Sequence, residues 1–178
     1  LIKSSDVIRE TLTPKISFRI NPGNNMNNYS ETSKIINASS AFDVNRLSID
    51  DYEAGRSLTF GLDYKFDTLE TYLDEDIEDE DIEDKYLEFK LATVVRDQVE
   101  TEIPSSSTIN RKNSNIFGSI ENRLFNNANF TYNFSLDNDM KTINSNNIEA
   151  EISINNFVTT FSFIEDRYEL GSTHLISN

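Results

Sequence analysis

No cysteine occurs among the 178 residues, which excludes a disulfide framework and a thiolate metal site. His174 is the only histidine, so neither an imidazole metal site nor a Ser–His pair can be assembled, and it is expected to be an ordinary loop or strand residue. Glycine is scarce, at five residues, and no GxSxG, P-loop, HExxH or glycine-rich phosphate turn is present. No catalytic residue, cofactor or metal site is therefore assigned, and the chain is not expected to be an enzyme. No apolar run approaches the roughly 18–20 residues that a membrane helix needs, and the mean hydropathy is −0.52. That excludes a helical membrane protein but not a β-barrel, whose strands turn only alternate residues to lipid. Leu and Ala at helical spacing are missing too. Basic residues number 16 against 31 acidic ones, and the net charge of −15 argues against nucleic acid as a partner.

The acid is concentrated. Residues 70–84 hold ten carboxylates and no base, two-thirds of the net charge. Within them Asp74-Glu75-Asp76-Ile77-Glu78 is repeated at once as Asp79-Glu80-Asp81-Ile82-Glu83. A calcium loop needs ligands at fixed spacing and a glycine for its turn, and no glycine lies between Gly61 and Gly118. The stretch at about 68–85 is read as a self-repelling, disordered loop within a single domain of residues 1–178.

What the chain has in quantity is alternation. From Ser57 to Phe66 the even positions are Leu58, Phe60, Leu62, Tyr64 and Phe66, and the odd ones Ser57, Thr59, Gly61, Asp63 and Lys65. A strand sends successive side chains to opposite faces, so this is a ribbon with one apolar and one wet side. Similar patterns predict strands at about 11–20, 35–46 (weaker, on Phe42 and Val44), 56–67, 86–96, 115–125, 128–137, 147–154 and 157–165, with a ninth from about 173. Asn126-Asn127 and Asn155-Asn156 read as tight hairpin turns, and looser links fall at 97–113 and 137–146. Short links alternating with long ones describe an antiparallel up-and-down meander. The predicted fold class is all-β, a partial wall of a large outer-membrane barrel. Two alternatives stay open on the residues alone. One is the wall of a porin-like channel; the other is a soluble β-sandwich binding module, which would pack its apolar faces together. In a barrel, Asp63, Lys65, Glu88, Lys90, Glu121 and Arg123 would face the lumen.

Segment 41–64 carries a more specific signal. Asn45, Arg46, Ser48, Asp51, Gly55, Leu58, Gly61 and Tyr64 match a strand ending in Asn-Arg-x-Ser, a short loop closed by glycine, and a following strand of the form Leu-x-x-Gly-x-x-Tyr. In this the chain resembles the barrel domain of the LPS-assembly outer-membrane protein family, LptD. Later stretches resemble it as well: Ser114-Asn115-Ile116-Phe117-Gly118, Phe130–Asp137 and Asn155-Asn156-Phe157. Ile49 and Tyr52 depart from the motif, and the acidic insert has no counterpart in it.

The resemblance implies a non-enzymatic role in the Gram-negative outer membrane, inserting lipopolysaccharide into the outer leaflet. Its implied partners are lipopolysaccharide, outer-membrane lipid, an LptE-type plug lipoprotein, and periplasmic Lpt bridge proteins that dock on a domain outside this sequence. The start at Leu1 and the end at Asn178 suit an internal piece of such a wall. The motif residues Asn45, Arg46, Ser48, Asp51, Gly55 and Gly61 are expected to act structurally, in the loop and the strand that follows it.

Overall fold

The computed structural model describes residues 2–4, 8–22, 35–47, 53–68, 85–155, 157–167 and 173–177. Among these, nine strands form one antiparallel sheet whose spatial order is the order of the chain. They are β1 (Ile2–Ser4), β2 (Ile8–Asn21), β3 (Gly55–Thr68), β4 (Tyr86–Arg96), β5 (Ile116–Phe125), β6 (Ala128–Leu136), β7 (Ile143–Ile154), β8 (Phe157–Asp166) and β9 (Thr173–Ser177). The meander expected from the alternation is what forms. The sheet is open, with β1 and β9 at its two edges.

The register keeps the two faces separate. Leu58 pairs with Phe18 and Val95, Leu62 with Pro14 and Leu91, and Tyr64 with Leu12 and Phe89. Because paired residues share a side, the apolar residues of β2–β4 form one continuous surface. It runs on through Ile120, Tyr132, Ile148 and Phe163. Gly118 sits within it opposite Phe134, and a Cβ there would lie 2.0 Å from the Phe134 ring. The glycine leaves the space that the aromatic ring fills, a pairing that shields bare backbone. Asn155 takes φ of 54° at the β7–β8 turn, a left-handed conformation that asparagine tolerates.

Two expectations are corrected. Residues 35–46 are not a strand: they form turns and a short 3-10 helix at Ser40–Phe42. Asn37 explains this, because its Oδ1 accepts from the amides of Ser39 (3.0 Å) and Ser40 (2.8 Å), bending the chain where a strand would run straight. Strand β7 also starts earlier than expected, at Ile143, so the link before it spans only 137–142. Of the acidic insert, only its flanks Thr68 and Lys85 are among the described residues. They sit at the same end of the sheet as the Asn126-Asn127 turn.

The packed core lies on the wet face. Ile36, Ala38, Ala41 and Leu47 from the 35–47 strap, and Ile103 and Ile109 from the β4–β5 link, close over Ala92, Val94 and Phe117. In register, those three share their face with Lys90, Glu88 and Ser119. Val94 and Phe117 are 0% and 1% exposed. On the opposite face Ile16, Phe18 and Phe157 are 68%, 66% and 68% exposed.

Candidate functional site

The wet face divides into two zones. Toward the end of the tight turns it is a ladder of charge. Arg9 pairs with Asp67, Lys15 with Asp63, Lys90 with Glu88 (2.8 Å) and Arg123 with Glu121 (2.8 Å). Lys65 lies 3.9 Å from Asp67, with its ammonium 4.5 Å above the Tyr86 ring. The Tyr86 hydroxyl donates to Glu121 at 2.7 Å. Of the six residues proposed from sequence as one wall, Asp63 pairs with Lys90, Lys65 with Glu88 and Glu88 with Glu121, while Arg123 joins them through Glu121 and the Tyr86 ring. Farther along, β6–β8 present Asn129, Thr131, Asn133, Asn147, Glu149 and Ser162 on the same side. A cleft of about 350 Å³ opens there between Arg123, Thr131, Glu149 and Glu151.

The second zone, at the end of the long links, is built around Glu53. This carboxylate is buried, and three guanidiniums converge on it. Arg46 grips both oxygens, Arg19 donates to Oε2 at 2.7 Å, and Arg96 donates to Oε1. Arg46 also donates to Ser57 Oγ (2.9 Å), Thr59 Oγ1 (3.0 Å) and the Ala41 carbonyl (3.1 Å). Its side chain and that of Arg96 are fully enclosed. Arg96 ties the group to the Ala54 carbonyl, and Arg19 ties it to that of Asp43. Burial alone would push the Glu53 carboxyl up. The hydrogen bond and charge of Arg46, then the charges of Arg19 and Arg96, more than offset this and hold it below the usual carboxylate range. Among the described residues, three cations and one anion are thus locked between the strap, β2, β3 and β4.

The strap is keyed to the sheet at one further point. Phe42 lies over Gly61, where a Cβ would come 2.5 Å from the ring. The Lys15 ammonium is 5.7 Å from the centre of that ring. Gly61→Ala is therefore expected to destabilise the protein by about 1–3 kcal/mol through overpacking. Phe42→Ala is expected to lose packing, and the double variant to recover part of the Gly61→Ala loss, a non-additivity that denaturant titration of the four proteins would reveal. Strictly additive losses would show that the two residues do not meet.

Of the motif residues, Arg46, Gly55 and Gly61 converge on this zone. Gly55 holds φ of 84°, and a side chain there would meet Glu100 and Arg96. Asn45 lies in the turn just before Arg46, not in a strand. Ser48 and Asp51 lie outside the described residues. Sequence reasoning missed Glu53, Arg19 and Arg96. One available signal was that Ala92 and Val94 make β4 apolar on both faces, which marks a strand covered on both sides. These arrangements bind and brace. Among the described residues no helix is long and apolar enough to cross a membrane, which says nothing of barrels. No known family, curated protein or solved structure matches the chain significantly.

Proposed function

We propose that the chain is a stretch of wall from a large outer-membrane β-barrel that inserts lipopolysaccharide into the outer leaflet. One observation carries the membrane part of this reading. The sheet packs its core on the polar face and leaves the apolar face open, with Ile16, Phe18, Phe60, Leu62, Leu91, Phe130 and Phe161 all at least 38% exposed. A soluble sandwich does the reverse, since its apolar faces are what hold its two sheets together. A continuous apolar surface of this kind needs a covering, and a bilayer supplies one along every strand at once.

The lipopolysaccharide part rests on the motif, whose Arg46, Gly55 and Gly61 work together in bracing the strap on the wet wall. A wet wall of paired charge and amide side chains suits a sugar head group and a protein plug, and no covalent step is needed. The charge ladder favours a second reading, a porin-like channel, because alternating acid and base is how such pores line a waist.

Photo-cross-linkers placed at Lys65, Lys90 and Thr131 in the barrel assembled in cells separate the two. Adducts with lipopolysaccharide, and co-purification of a small plug lipoprotein, are the expected result. Ion conductance in planar bilayers without adducts or lipoprotein would instead identify a channel. A chain that is monomeric and folds cooperatively without detergent would refute both.

A further inference from the structure

Among the described residues, the edge of the sheet at β2 is covered over only a short part of its length. β3 pairs with β2 from Ile8 to Asn21, whereas β1 pairs on the other side only with Arg9–Thr11. Which backbone groups look outward follows from the ladder. The Arg96 amide donates to the Lys112 carbonyl, and the Val94 carbonyl accepts from Ser114, so even positions of β4 address β5. In an antiparallel ladder each residue sends its N–H and C=O to the same side, and neighbours alternate. Odd positions of β4 therefore address β3, where they meet Leu58, Phe60 and Leu62. The Thr68 amide, donating to Lys85 across the same pair, has the matching parity. Odd positions of β3 then address Thr13, Lys15, Ser17 and Arg19 of β2. The groups of Pro14, Ile16, Phe18 and Ile20 are left facing the open side. Pro14 belongs to this set, so its missing N–H costs the β2–β3 ladder nothing.

We propose that this edge is the docking site of a further β-strand, antiparallel to β2 and in line with β1. The strand is apolar on the side it shares with Ile16, Phe18 and Ile20, and polar on the side of Lys15 and Ser17. β1 already occupies the same edge, and its pairing of Ile2 with Thr11 and Lys3 with Glu10 sets direction and phase. A row of outward N–H and C=O groups is a template for strand addition. In hydrocarbon it must be filled, because no water is present to satisfy it. Opposite Pro14 the docked strand makes one bond fewer, which singles out the register.

The inference rests on the ladder and not on lipopolysaccharide transport, and its test is separate. Amide hydrogen exchange is followed residue by residue on the full chain in detergent micelles. The probe is a synthetic alternating Val-Thr peptide of about ten residues, a usual strand length. Without the peptide, Ile16, Phe18 and Ile20 are expected to exchange at least about tenfold faster than Ser17 and Arg19, whose amides are held by β3. With the peptide they should slow to match. A peptide N-methylated at its ladder-facing amides should not slow them, whereas methylation of the other amides should leave its effect intact. Slow exchange at Ile16, Phe18 and Ile20 in the free monomer, or no response to the peptide, would overturn the proposal. So would protection that disappears on dilution, because the occupant would then be a second copy of the chain.

Discussion

Glu53→Gln is expected to unfold the strap and most of the end of the sheet to which it is tied. The substitution keeps size and shape but removes the one carboxylate that, among the described residues, pairs with Arg19, Arg46 and Arg96 together. Removing one partner of a buried ion pair costs about 3–5 kcal/mol, because the other charge stays buried without compensation. Here three guanidiniums lose the same anion, so the upper part of that range is expected. The measurement is urea unfolding in detergent, with protease cleavage in 35–47 as a local readout. A loss below about 1 kcal/mol would mean that the cluster is solvated and behaves as a surface pair.

The same carboxylate sets a pH dependence. Its folded pKa lies below the ordinary 4.5. The native state therefore binds the proton less readily than the unfolded chain. The stabilisation it contributes is present in full above about 4.5 and is lost as pH falls through the depressed folded value. Wild type and Glu53→Gln should therefore differ most near neutral pH and converge in acid. A constant gap down to strongly acid pH would contradict the assignment.

Leu62→Arg is expected to block insertion into bilayers, and this is the second large effect. Leu62 pairs with Pro14 on one side and Leu91 on the other, midway along β3 on the open apolar face. On the lipid side of a barrel an arginine at mid-depth costs about 2–4 kcal/mol, and less near the interfaces. Asp63→Asn, one residue along and on the wet face, removes one partner of an ion pair with Lys15 but sends no charge toward lipid. Folding into liposomes, followed by the gel shift of heat-treated against untreated samples, compares the two. If Leu62→Arg folds as well as Asp63→Asn, or raises solubility without loss of structure, the apolar face does not meet lipid.

Much of the fold was legible because one physical rule repeats. Period-two alternation predicts strand, face and pairing together, and the bounds of β3 and β4 came out within a residue or two. The strap was misread for an equally physical reason. Phe42 and Val44 have strand spacing, but the turn is made upstream by the Asn37 side chain, which a face pattern does not register. The buried cluster was legible by one member only. Arg46 stood out through its motif, whereas Glu53, Arg19 and Arg96 lie 7, 27 and 50 positions away and meet only once the meander has stacked its strands. In sequence, Glu53 looks like one more surface acid in a chain with 31. The role of Gly61 was legible as a motif position, but its purpose, room for Phe42, needed the strap in place.

The core on the wet face also bears on when this sheet takes shape. In the core the strap joins residues 45 or more positions downstream, in β4, the link after it and β5. Contacts of such separation close late, after the local hairpins have formed. They are made on the side that water can reach, so their formation does not wait for lipid. The β3–β5 region can thus hold its register in water before its apolar back is covered. On the barrel reading proposed above, the bilayer would then receive a preassembled stave rather than a disordered chain.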